Sequence, residues 1–224
     1  MNPLTVALPK GRLLRPAGDL FRRLGWPCEL GNGTRQLLLT EANRLDGSGR
    51  ELRFMLVKAA DVPVYVEYGA ADLGIVGQDV LRETGRDVYE PLQLGFGHCR
   101  LVVAGVPSQQ GRNLRLATGL RVATQYPNQT RAFFQRQGLS IEVIPLSGSV
   151  ELAPLAGLSD LLVDLVETGR TLRENGLLEL EEIAAFQATV IVNRVTHRIR
   201  LQEVRDLLAA LERADRQLSE ERGA

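Results

Sequence analysis

The chain has 224 residues, 44% of them apolar, and its 27 Lys+Arg balance its 27 Asp+Glu, so its net charge is zero. A core for one large or two small domains is within reach at this length, while the balanced charge argues against a nucleic-acid-binding surface. No apolar stretch approaches the roughly 20 residues that a membrane span needs. Cys28, Cys99, His98 and His197 are too few and too scattered for a disulfide framework or a protein-held metal site. The amino terminus lacks a basic region ahead of a long apolar run, which favours the cytoplasm over secretion. All but two of the basic residues are arginine; the exceptions are Lys10 and Lys58.

Leu4, Val6 and Leu8 alternate as in a strand, and Pro9-Lys10-Gly11-Arg12 breaks it. Leu13, Ala17, Leu20, Phe21 and Leu24 then repeat at helical spacing up to Gly25. Gln36–Leu39 and Leu52–Val57 read as a hairpin or two neighbouring strands. Asp61 stands where it can cap a short helix with Pro63 in its first turn. Leu73–Gly77 is a buried strand.

After a junction near Pro91–Gly97, strands are expected at Leu101–Val106, Arg121–Thr124, Ile141–Ile144 and Leu161–Val166. Helices capped by Asn128 and Ser149 fall between them, and another starts at Thr171-Leu172. Ile183–Ala185 and Thr189–Val192 are further strands, and residues 202–218 form a terminal helix. Such alternation predicts a largely parallel α/β architecture. The junction divides it into two lobes, residues 1–94 with 178–224 and residues 95–177, with ligand expected in a cleft near the carboxyl ends of the strands.

The strongest chemical signal is Asp160-Leu-Leu-Val-Asp164-Leu-Val-Glu167-Thr168-Gly169-Arg170-Thr171-Leu172. An apolar strand enters a Thr-Gly-x-Thr turn that opens a helix. Such a turn aims backbone N–H groups and two hydroxyls at one point, and glycine allows a phosphate close approach. Asp164 and Glu167 stand where carboxylates accept from sugar hydroxyls or hold the waters of Mg²⁺. The competing reading is a capped helix after a buried strand, with Thr168 or Thr171 as the cap.

This acid-apolar-apolar-acid-Thr-Gly-x-Thr pattern resembles the 5-phosphoribosyl-1-pyrophosphate loop of phosphoribosyltransferases. The wider stretch from Glu151 to Leu172 resembles the signature of the ATP phosphoribosyltransferase family, with Leu162 where Ile or Val is commoner. Leu8–Arg12, Asp61–Val66, Gly69–Asp79, Ala123–Asn128 and Val192–Arg194 extend the resemblance over nearly the whole chain. It implies two α/β lobes similar to type II periplasmic binding proteins. It also implies transfer of phosphoribosyl from the pyrophosphate donor to N1 of ATP, the opening step of histidine biosynthesis, with Mg²⁺ held through substrate phosphates.

Carried over by position, Glu167, Thr168, Gly169, Arg170 and Thr171 hold the donor's 5′-phosphate, and Asp164 and Glu167 face the ribose. Lys10 and Arg12 serve phosphates, and Arg35 is substrate-facing. Lys58 stands where the family pattern has arginine, keeping the charge without the bidentate fork; a substrate contact and a plain surface position are both open for it. Glu151 is either a substrate contact or an acid favouring its helix dipole. Asp72, Gly77 and Asp79 are placed with the nucleotide, Asp79 alternatively as a helix cap.

The length resembles the short form, which works in a hetero-oligomer with a regulatory subunit similar to histidyl-tRNA synthetase. Two other readings stand beside this one. They are a phosphoribosyltransferase with another nitrogen acceptor, and a two-lobe ligand-binding protein without catalysis.

Overall fold

The computed structural model describes residues 2–27, 37–43, 51–111 and 119–223. The alternating start forms β1 (Leu4–Pro9), and the 3.6-residue repeat after the Lys10–Leu13 turn forms α1 (Leu14–Arg23). Then come β2 (Leu38–Ala42), β3 (Glu51–Val57), α2 (Val62–Glu67), β4 (Leu73–Gly77), α3 (Gln78–Thr84) and β5 (Tyr89–Gln93). β6 (Cys99–Gly105), β7 (Leu120–Thr124), α4 (Pro127–Arg136), β8 (Ile141–Pro145), α5 (Leu152–Leu155), β9 (Leu161–Val166) and α6 (Arg170–Glu174) follow. The chain continues with β10 (Leu178–Phe186), β11 (Ala188–Val192), α7 (Arg194–Ile199) and α8 (Leu201–Gly223).

The chain divides into two compact units, Met1–Gly97 with Gln187–Ala224, and His98–Phe186. In the first, six strands lie in the order β2-β3-β1-β4-β11-β5. β1 is parallel to β3 and β4, whereas β2, β11 and β5 run antiparallel to their neighbours. Period-two alternation sends Leu4, Val6 and Leu8 into one apolar layer and Ala7 into another. The first layer holds Leu20 and Phe21 of α1 with Val204, Leu207 and Leu211 of α8, and the second holds Val62 and Val66 of α2. Phe21 meets Phe54 edge-on, their ring centroids 4.9 Å apart, and both are fully buried. Each such side chain contributes roughly 1.5–3 kcal/mol by leaving water.

The second unit is a five-stranded sheet, β10-β6-β9-β7-β8, with β7, β8 and β9 parallel and β6 and β10 antiparallel. Phe133 and Phe134 of α4 cover one face, and Val150, Ala153 and Leu172 from the α5 and α6 segments cover the other.

Several sequence-based expectations shift. The boundary expected at 178 falls after Phe186, because β10 pairs along β6 and only β11 joins the first sheet. The stretch around Pro91 is an edge strand, β5, rather than a bare junction; an edge is where proline's missing donor is tolerated. Asp61 precedes α2, but its side chain makes no capping bond. Tyr126 takes the cap position before α4, leaving Asn128 in the first turn, and Glu151 takes the one before α5 rather than Ser149. The terminal helix is present as α8, and a further helix, α7, precedes it. Asn193 starts α7 by accepting from Val195 N and Thr196 N at 2.9 and 3.0 Å, and its amide donates to Val66 O at 2.8 Å.

Candidate functional site: a phosphate turn and a cationic strand end

In the second unit, β7, β8 and β9 are parallel, so the turns after Thr124, Pro145 and Val166 open at the same edge of the sheet. The first is ordered by Thr124, whose hydroxyl accepts from Tyr126 N at 2.8 Å and from the Thr130 hydroxyl at 3.3 Å. The second holds Ser149 at φ 49°, the one non-glycine residue with positive φ among those described. Strained backbone of this kind persists where surrounding structure enforces it and clusters at binding sites. It stands two residues before Glu151.

The third turn carries the Thr-Gly-Arg-Thr segment. Gly169 adopts the left-handed conformation, φ 70° and ψ 11°, immediately before α6. A Cβ there would lie 2.6 Å from Glu179 Oε1 and 3.1 Å from Arg173 Nη1. Both contacts are with the ends of flexible side chains, so it is the positive φ that favours glycine here. Thr168 and Thr171 are exposed. The Thr168 hydroxyl turns back to accept from Arg170 N at 3.4 Å, which ties the turn together. The exposed Arg170 side chain donates to Glu174 at 2.7 Å along α6. With only five residues in α6, the local amides rather than a long helix dipole supply the positive potential.

Asp164 lies on β9 three residues before exposed Glu167 and accepts from Leu165 N at 2.8 Å. Burial pushes its carboxyl up to about 6; the Leu165 N–H bond opposes the rise, and the negative charge of Glu151 adds to it. Glu151, Asp164 and the Thr-Gly turn thus occupy one neighbourhood. A perturbed carboxylate beside an exposed Thr-Gly-x-Thr turn marks this neighbourhood as a candidate site.

In the first unit, β1 and β3 run in parallel with Pro9 opposite Val57, and Lys10 N donates to Val57 O at 2.8 Å. Lys10 and Lys58 therefore leave adjacent strands at the same level, and both are exposed, as is Arg12. Gly11, at φ 100°, makes the bend between Lys10 and Arg12. Carrying the β1–β4 register forward sets Gly77, at the carboxyl end of β4, level with Lys10. A Cβ on Gly77 would lie only 2.0 Å from Asp79 Oδ1, so the buried Asp79 carboxylate folds over the glycine at the start of α3.

Asp72 does not belong with this group. It precedes β4, at the amino end of the strand, and its carboxylate accepts from Thr5 N and the Thr196 hydroxyl, each at 2.8 Å. Arg200 approaches it at 3.9 Å. The position ties β1, β4 and α7 together and sets Asp72 at the opposite end of β4 from Gly77. Arg35 lies outside the described residues.

The family model described as HisG, ATP phosphoribosyltransferase, matches residues 58–213. The ATP phosphoribosyltransferase of Syntrophotalea carbinolica is 46% identical over 213 residues, covering 94% of each chain. That of Moorella thermoacetica is 48% identical over 219 residues, covering 95% of this chain and 93% of the relative. This chain belongs to the ATP phosphoribosyltransferase family.

Among solved structures, the ATP phosphoribosyl transferase (HisG:HisZ) complex from Thermotoga maritima is similar at TM-score 0.78 and 36% identity, over 96% of this chain and 99% of that one. The periplasmic aliphatic sulphonate binding protein SsuA from Escherichia coli is similar at TM-score 0.64 and 14% identity, over 100% of this chain and 76% of that one. That second likeness speaks for the fold alone, the two-lobed α/β architecture of such binding proteins. For a member of the ATP phosphoribosyltransferase family, the turn after β9 and the lysines after β1 and β3 are the two places where the sequence expectations concentrate. Glu179, which those expectations passed over, stands beside the first, and Ser149, expected as a helix cap, lies in the turn after β8. Ser-Gly-Ser before Glu151 was a visible turn signal; nothing local marks Glu179.

Proposed function

We propose that this chain transfers the 5-phosphoribosyl group from phosphoribosyl pyrophosphate to N1 of ATP, releasing pyrophosphate, as the first step of histidine biosynthesis. The observation that carries the reading is the left-handed Gly169 turn, with perturbed Asp164 beside it, in a chain of this family. The backbone N–H groups and hydroxyls of residues 168–171 hold the donor's 5′-phosphate. Asp164 and Glu167 accept from the ribose hydroxyls and face the positive charge that develops on the ring as pyrophosphate departs. Lys10, Arg12 and Lys58 bind phosphate oxygens, and Gly77 and Asp79 line the same strand-end edge. The transfer is a direct displacement: the bond from the anomeric carbon to pyrophosphate breaks as the bond to adenine nitrogen forms.

Among the described residues, no group of three or more His, Cys, Asp or Glu is suited to hold a metal ion. Asp164 and Glu167 would instead hold the waters of a Mg²⁺ bound through the substrate phosphates. When bound, Mg²⁺ supplies charge neutralisation on those oxygens. Among the described residues no helix is long and apolar enough to cross a membrane, and the reading places the enzyme in the cytoplasm.

The Thermotoga maritima likeness to a HisG:HisZ complex supports a hetero-oligomer, and the reading gives it a regulatory subunit similar to histidyl-tRNA synthetase. Histidine then inhibits through that partner, and linkage requires the partner to couple to substrate binding. Titrating histidine against the chain alone and against the reconstituted complex tests this. Inhibition confined to the complex is expected, and strong inhibition of the chain alone contradicts it.

A further inference from the structure

We propose that Glu179 is a positioning residue of the donor turn, packed by Arg100 against Gly169 so that the turn keeps its left-handed geometry. The inference rests on the reading of residues 167–171 as the donor-binding turn. Glu179 Oε1 stands 2.6 Å from where a Cβ of Gly169 would be, so its carboxylate covers one face of that Cα. Its other oxygen accepts from Arg100 Nη2 at 2.9 Å, and Arg100 also reaches Glu182 at 3.2 Å. Arg100 lies on β6 opposite Val166, the last residue of β9 before the turn. One guanidinium thus links the strand register at the entry to the turn with the carboxylate that closes over its apex.

The backbone of β10 supports the same assignment. Its pairing with β6 shifts register between Glu179 and Glu181 and again between Glu182 and Ala184. Each bulge re-aims side chains that a regular edge strand would alternate between its faces. A lone carboxylate beside a phosphate site would repel a bound dianion. Arg100, its own pKa raised by hydrogen bonds to Glu182 and Glu179, is shared between them and offsets only part of that charge. The contribution assigned to Glu179 is shape at Gly169.

The test compares Glu179→Asp, Glu179→Gln and Glu179→Ala by steady-state kinetics at saturating ATP and varied phosphoribosyl pyrophosphate. Glu179→Asp keeps the charge but withdraws it from Gly169, and should raise the donor KM at least about threefold, while the ATP KM holds. Glu179→Gln keeps the packing and should restore donor KM to within about twofold of the parent. Gly169→Ala should cost less donor affinity in the Glu179→Ala background than alone; where Glu179→Ala fails to fold, the Glu179→Asp background replaces it. Unchanged donor KM in Glu179→Asp, or equal effects on both substrates, overturns the inference. Thr168→Ala and Thr171→Ala serve as controls. If they weaken the donor and Glu179→Asp does not, the inference alone fails; if all three leave the donor unaffected, the donor-turn reading falls with it.

Discussion

Lys10 and Lys58, the only lysines in the chain, emerge side by side from adjacent parallel strands, joined by the 2.8 Å bond from Lys10 N to Val57 O. Under the proposed function, two compact ammonium groups leaving the same end of the sheet would bind phosphate oxygens without relying on arginine geometry. Lys10→Ala and Lys58→Ala should each raise the KM of a phosphate-bearing substrate by about 10-fold, the value of one charge-assisted hydrogen bond of about 1.5 kcal/mol. Lys58→Arg should hold or lower that KM. Thermal melts should barely move, because both side chains are exposed. Steady-state kinetics with each substrate varied checks the set, and unchanged KM values in both alanine variants would make these lysines ordinary surface residues.

Asp164 links function to stability with a definite sign. Its folded-state pKa, about 6, lies above the ordinary carboxylate value of 3.8. The folded state therefore binds more protons than the unfolded state between those limits, and stability falls as pH rises from below 4 through 6. Asp164→Asn should remove that loss and be about 1–2 kcal/mol more stable than the parent at pH 8, a figure reduced for partial solvent access. Its turnover should nevertheless drop by roughly 10-fold or more through the lost charged acceptor. Denaturant melts at pH 4 and pH 8, with kcat/KM across the same range, check both halves. An acid limb of kcat/KM near pH 6 in the parent should disappear in the variant.

Gly169→Val should do more than weaken the donor. A β-branched residue at φ 70° is strained, and the ends of Glu179 and Arg173 would have to move aside for its side chain. The variant should lose about 1–3 kcal/mol of stability as well as measurable donor binding. Calorimetry on whatever fraction remains folded, alongside a denaturant melt, separates the two losses.

Asp72→Ala should behave oppositely to Asp164→Asn. Losing the acceptor for Thr5 N and Thr196 Oγ1 should cost about 2–4 kcal/mol of stability, with substrate KM values close to the parent. A substrate-specific KM change at unaltered stability would return Asp72 to the site.

Asp72 also shows where a sequence stops being legible. Its acidic side chain beside a buried strand looks the same whether it stands at the amino or the carboxyl end of the functional edge; only the strand direction and the partners from β1 and α7 decide. β9 and its turn were readable because strand, glycine and hydroxyls are contiguous, and Leu161–Val166 is the strand expected. The adjacency of Lys10 and Lys58 needed the parallel β1–β3 register, which brings together residues 48 positions apart only through pairing. β10 was assigned to the wrong sheet because it follows the last strand–helix unit of the second lobe, and only its pairing along β6 decides where it belongs. Glu179 remained invisible for the same reason. The α7 helix was missed because its six residues carry little periodic signal, and its start is set by contacts of Asn193 with distant α2.

The transfer itself is tested most directly by combining the chain, ATP, phosphoribosyl pyrophosphate and Mg²⁺, with and without the regulatory subunit, and following phosphoribosyl-ATP by absorbance and pyrophosphate release in parallel. The two products should appear in equal amounts with ATP, and neither should appear when another nitrogen base replaces it. No product with ATP under either condition, or comparable pyrophosphate release with a different acceptor, would contradict the account.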